Sequence, residues 1–69
     1  MSAPLTPITE FAEVVAARRA GLFKPAVKAA YVAGAGRDTL FMAVDVARQL
    51  AEVPAPVVAE AFATVHRWS

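Results

Sequence analysis

Apolar residues recur along this chain at helical spacing, and glycine or proline interrupts the pattern at three places. Ile8, Phe11, Val14 and Val15 share one face, with Glu10 and Glu13 on the other, which predicts a first helix from Pro7 to about Ala20. Thr6-Pro7 reads as its N-cap followed by proline at the first helical position, where the missing N–H costs nothing. Gly21 marks a break, and Pro25 fits the first turn of a second helix ending near Ala33, with Phe23, Val27, Ala30 and Tyr31 inward. Ala33-Gly34-Ala35 then closes that helix, because a residue without Cβ takes the left-handed conformation of a helix end cheaply. Gly36-Arg37-Asp38 opens the next helix, with a carboxylate where the helix dipole favours it.

The third helix is predicted over Arg37–Glu52. Leu40, Ala43, Val44, Ala47, Leu50 and Ala51 make its core stripe, and Met42, Val46 and Val53 extend the apolar arc to roughly 200°, about twice what a surface helix needs. Phe41 stands apart as a large aromatic within the polar sector of Asp45, Arg48, Gln49 and Glu52. Val53-Pro54-Ala55-Pro56 stops this helix and starts a fourth. That last helix carries Val57, Val58, Ala61, Phe62, Val65 and Trp68 on one side and Glu60, Thr64 and Arg67 on the other. Alternation of strand type never outlasts three residues. The expected fold is therefore all-α: one domain over residues 1–69, a small bundle of about four helices with short joints. The second and third helices are expected to form an antiparallel pair, and residues 1–6 a flexible arm.

Composition changes this picture in one respect. Hydrophobic residues are 58% of the chain and charged residues 19%, against about 45–50% and about 25% in ordinary domains. A chain of 69 residues buries only about 60% of its unfolded surface and is marginal alone. Without cysteine it has no disulfide or thiolate metal site, and one histidine with scattered carboxylates offers no structural metal site; neither metal nor cofactor is expected. Association remains as the means of hiding apolar surface, through Phe41, Met42, Val46 and Val53 and toward a homo-oligomer or a larger partner protein.

Charge and candidate chemistry add less. A net charge of +1 implies no general attraction to nucleic acid or to acidic membrane. Apolar runs fall short of the ~18–20 residues that span a bilayer, and Met1-Ser2-Ala3-Pro4 lacks the features of a secretory signal; the cytoplasm is the expected compartment. Arg18, Arg19, Lys24 and Lys28 place four positive charges in eleven residues. They read as a solvated basic edge, with Arg18 snorkelling at the end of its own helix. Used on nucleic-acid phosphates instead, they would lack a recognition helix with base-reading side chains, which argues against that function. Asp45 and His66 are the weak catalytic candidates. Asp45 has Arg48 and Gln49 at i+3 and i+4, so a paired surface carboxylate is favoured. His66 lies one turn from Phe62 and has no carboxylate three or four residues away on its helix to orient it as a general base.

The segment Val27–Leu40, with Ala43–Ala47 and Pro54–Ala61, resembles the central part of the carboxymuconolactone decarboxylase and alkylhydroperoxidase-D-like family. The likeness rests on the Ala33-Gly34-Ala35 turn, the Gly36-Arg37-Asp38 cap, the apolar helix beginning at Thr39-Leu40 and the proline-started helix after it. It implies an all-helical fold and assembly as trimers or hexamers. Thiol-active members carry Cys-x-x-Cys followed by histidine, and the matching positions here are Arg19, Leu22 and Ala26. Peroxidase or disulfide-reductase chemistry needs a thiolate nucleophile and a resolving thiol, and both are missing. The resemblance thus implies a degenerate member without the family's redox site. The reading that follows is a non-catalytic oligomeric helical domain, with a thiol-independent decarboxylase or isomerase using a pocket between subunits as the alternative.

Overall fold

The computed structural model describes residues 5–68. Four α-helices follow in order: α1 (Leu5–Ala16), α2 (Phe23–Val32), α3 (Arg37–Ala51) and α4 (Ala55–Arg67), with a 3₁₀ turn at Ala20–Leu22 before α2. The described residues contain no strand, and the all-α bundle is as the periodicity requires. α1 is the hub. It packs along both α2 and α3, while α4 lies against α3 and α2. The expected α2–α3 pair is not found as a packed pair, because α1 lies against both and takes the contact surface each would offer the other.

The core is a single cluster in which Phe11, Val15, Phe23, Val27, Leu40, Val44 and Val65 are fully enclosed. Phe11 and Phe23 meet edge to face, 6.2 Å between ring centres, the geometry that ring quadrupoles favour. Tyr31 adds a polar tie between helices, its hydroxyl donating to the Val65 carbonyl at 3.1 Å. Thr64, expected on the polar side of the fourth helix, is buried. Its hydroxyl donates to the Glu60 carbonyl one turn back at 2.8 Å, so the burial leaves no polar atom unsatisfied.

The helix starts depart from expectation once. Thr6 and Pro7 lie inside the first turn of α1, which already runs from Leu5, rather than at an N-cap and first position. Proline is tolerated there because the first N–H groups of a helix have no intrahelical acceptor. Residues 1–4 of the expected arm lie outside the described residues.

Three helix ends close in the same way. After α2, Gly34 adopts φ +100°, its N–H bonds the Tyr31 carbonyl at 3.0 Å and the Ala35 N–H bonds the Ala30 carbonyl at 2.9 Å. This is the Schellman arrangement, completed by burial of Ala35. After α1 the left-handed position is taken by Arg18, φ 61°, with Arg18 and Arg19 N–H groups on the Val15 and Val14 carbonyls, both at 3.0 Å. After α3 it is taken by Glu52, φ 52°, and the chain reverses so that the Val53 N–H faces the Arg48 carbonyl at 3.4 Å. A side chain at a left-handed position costs about 1–2 kcal/mol relative to glycine. Glu52→Gly is therefore expected to raise stability by up to about 1 kcal/mol, part of the gain being returned to the more flexible unfolded chain; urea unfolding of the two proteins side by side measures it.

Arg18 offsets its own backbone cost. Its guanidinium donates to the Ala51 and Glu52 carbonyls at 3.1 and 3.3 Å and to the Ala16 carbonyl at 3.0 Å. It thus satisfies C-terminal carbonyls of α3 from across the bundle, with positive charge at the negative end of the helix dipole. The expectation of a cation complementing a helix C-terminus holds, but the helix served is chiefly α3. The same contacts place the C-terminal ends of α1 and α3 side by side.

Candidate functional site

Helix α3 buries one face and leaves another uncovered. Leu40, Ala43, Val44 and Ala47 are in the core. Met42, Val46 and Leu50 stand at i, i+4 and i+8, a single ridge along the helix, and are 66%, 49% and 83% exposed. Two of these are where an uncovered stripe was expected. Leu50 was expected in the core instead. It lies about 60° round the cylinder from Ala47, at the edge of the buried arc, and α1 ends at Ala16 without covering it.

Val53 moves the other way. Expected on the outer face as part of an oligomer contact, it is buried in the core, because the left-handed turn at Glu52 takes it off the helix and folds it inward. Phe41 is half-buried rather than projecting. Its ring meets Phe62 of α4 in a tilted edge contact, 5.7 Å between centres, so the aromatic in the polar sector has an intramolecular partner that helix periodicity could not supply.

Shallow hollows flank the ridge. On the α4 side Phe41, Phe62, Ala63 and His66 line an open apolar depression of about 480 Å³, continued by Met42, Asp45 and Val46 around the same phenyl pair. On the α1 side Ile8, Thr9, Ala12 and Thr39 border a second hollow of about 290 Å³ with Met42, Ala43 and Val46. The outcome is a ridge between two apolar grooves, with few hydrogen-bonding groups among the lining side chains.

The catalytic candidates fall on this face. Asp45 and His66 border the hollows around Phe41 and Phe62. Asp45 is ion-paired with Arg48 and accepts a second hydrogen bond from the Gln49 amide at 3.3 Å, the i+3 and i+4 partners that the sequence named. A carboxylate held this way by a cation and an amide is a structural surface group. His66 is exposed at the rim. Among the described residues no three His, Asp or Glu side chains gather as metal ligands, and no helix is long and apolar enough to cross a membrane.

The basic edge divides. Arg18 is committed to the end of α3. Arg19 borders a hollow with Glu10 and Glu13. Lys24 and Lys28 both lie over the indole of Trp68, 4.6 and 5.0 Å from the ring centre. Four cations close in sequence therefore do not form one phosphate-binding track. The Trp68 contact was beyond sequence reasoning, since forty residues separate Lys28 from Trp68; the signal that could have raised it is the i, i+4 spacing of the two lysines.

No protein-family model matches the chain, and neither the curated proteins nor the solved structures contain a significant match to it.

Proposed function

We propose that this chain is a non-catalytic helical module that acts through protein–protein contacts, first of all with further copies of itself, and that it is a degenerate relative of the carboxymuconolactone decarboxylase-like proteins. The observation carrying the proposal is the Met42–Val46–Leu50 ridge between its two apolar grooves. A ridge flanked by grooves is self-complementary: the ridge of one copy can enter a groove of the next, as helices pack within a domain.

Magnitudes favour association of moderate strength. Together the three ridge side chains expose about two full side chains' worth of apolar surface, which burial would reward with about 3–6 kcal/mol per copy. Two copies contributing equally gain about 6–12 kcal/mol, comparable with what association costs, about 4–15 kcal/mol. A standard interface takes about 800 Å² per partner, close to a fifth of the 4251 Å² surface of this chain, so the grooves must be covered as well as the ridge.

The measurement is sedimentation equilibrium across low to high micromolar protein. The parent is expected to associate with rising concentration, and Met42→Glu with Val46→Glu to remain a monomer with helical circular dichroism. A parent that stays monomeric at tens of micromolar overturns the proposal. The alternative, a thiol-independent enzyme, is favoured by one observation, that His66 and Asp45 border two adjoining hollows that share Phe41 and Phe62. It requires turnover that His66→Ala abolishes while association is retained.

A further inference from the structure

The charge of the chain is small in sum and segregated in place. From Val14 to Arg37 there is no carboxylate, and that stretch holds Arg18, Arg19, Lys24, Lys28 and Arg37, five of the seven basic side chains. The last residues from Ala61 onward are also free of Asp and Glu and hold Arg67. The fold brings these two acid-free stretches together, since α2 packs on α4 and Lys24 and Lys28 both reach Trp68.

We infer that Lys24, Lys28 and Trp68 form a binding site for a compact, multiply charged phosphate group such as a diphosphate. Both ammoniums lie within 5.0 Å of one ring centre, so they share a small volume and repel each other across no more than about a screening length. Neither takes part in an ion pair, the sole pair among the described residues being Arg48–Asp45. Lys24 sits in the first turn of α2, where the helix dipole is positive and adds to the field rather than opposing it, and Lys28 follows one turn later on the same face. The C-terminal end of α4 is close by and carries only about half a negative charge, too little to balance two ammoniums.

An ammonium on an indole face keeps N–H donors directed away from the ring, because the cation–π attraction is electrostatic and does not consume them. Two such groups beside one ring offer several donors to one anion. A diphosphate has acceptor oxygens at both ends and meets both lysines at once. A duplex backbone needs a longer track than this, and the commitment of Arg18 to α3 removes it. Trp68, 37% exposed, supplies an apolar wall that lowers competition from water for the ion contacts.

The chain has a single tryptophan, so its fluorescence reports this site and no other. Inorganic pyrophosphate is titrated against the intact chain, with sodium chloride at equal ionic strength as reference. The expected result is a saturable change in Trp68 emission with half-saturation in the millimolar range or below. It should weaken at least tenfold in Lys24→Gln with Lys28→Gln, and at least threefold in either single variant, should the double variant lose helical circular dichroism. Arg48→Gln, which removes a cation paired with Asp45 on α3, should bind as the parent does. A response no larger than that to chloride, or equal half-saturation in parent and lysine variants, overturns the inference.

Discussion

Phe11→Ala is expected to abolish the cooperative unfolding transition at room temperature. Phe11 is fully buried in α1, the helix that packs on both α2 and α3, and its ring meets Phe23 edge to face. Removing a buried phenyl ring costs about 3–5 kcal/mol in lost transfer free energy and residual cavity. A chain of 69 residues has about 3.5–10 kcal/mol in total, at 0.05–0.15 kcal/mol per residue. The loss is thus of the same order as the whole. Thermal denaturation followed at 222 nm should show a sloping, non-cooperative decline for Phe11→Ala. Phe11→Leu, which keeps most of the volume, should retain a transition at lower temperature. A Phe11→Ala protein that melts cooperatively near the parent temperature would show that α1 is not the hub of the core.

Gly34→Ala is expected to destabilise the chain by about 1–2 kcal/mol, and the cause is conformational alone. A Cβ at Gly34 meets nothing within 4 Å, so no clash contributes; the φ of +100° is what an L side chain resists. Gly21 is the matching control, because a Cβ there also meets nothing within 4 Å and its φ is not in the left-handed range. Gly21→Ala should be neutral or raise stability by about 0.4–1 kcal/mol through the unfolded chain. Urea midpoints of the three proteins decide the matter: equal effects of both substitutions would mean that the turn after α2 is not fixed by its dihedral angle.

The two charged residues at left-handed positions show where local reasoning stops. Gly34 announces its own conformation. Arg18 and Glu52 do not, since nothing in their side chains favours positive φ, and each is held there by the Schellman bonds of its helix end and by the clasp between the Arg18 guanidinium and the Ala51 and Glu52 carbonyls. That clasp joins residues more than thirty positions apart.

The first helix, expected to run to about Ala20 and break at Gly21, instead ends at Ala16 and turns at Arg18, with Gly21 inside the 3₁₀ turn that follows. Local signals in the sequence settled the helix count, the breaks at Gly34–Gly36 and Pro54–Pro56, the inward faces of Phe11, Val27, Leu40, Val44, Val58 and Val65, and the surface pairing of Asp45. Each of these follows from a dihedral preference or from 3.6-residue spacing, and neither depends on what lies across the bundle. The tertiary structure alone decided that α1 rather than α2 packs along α3, that Val53 turns inward while Leu50 stays out, that Phe41 rests on Phe62, and that Lys24 and Lys28 converge on Trp68. These choices depend on which helix covers which arc and on where the chain reverses between helices. A helical wheel says which side of a cylinder is apolar; only the neighbouring helices determine how much of that side is covered. On α3 they stop short of the Met42–Val46–Leu50 ridge, and the proposed self-association begins from that uncovered surface.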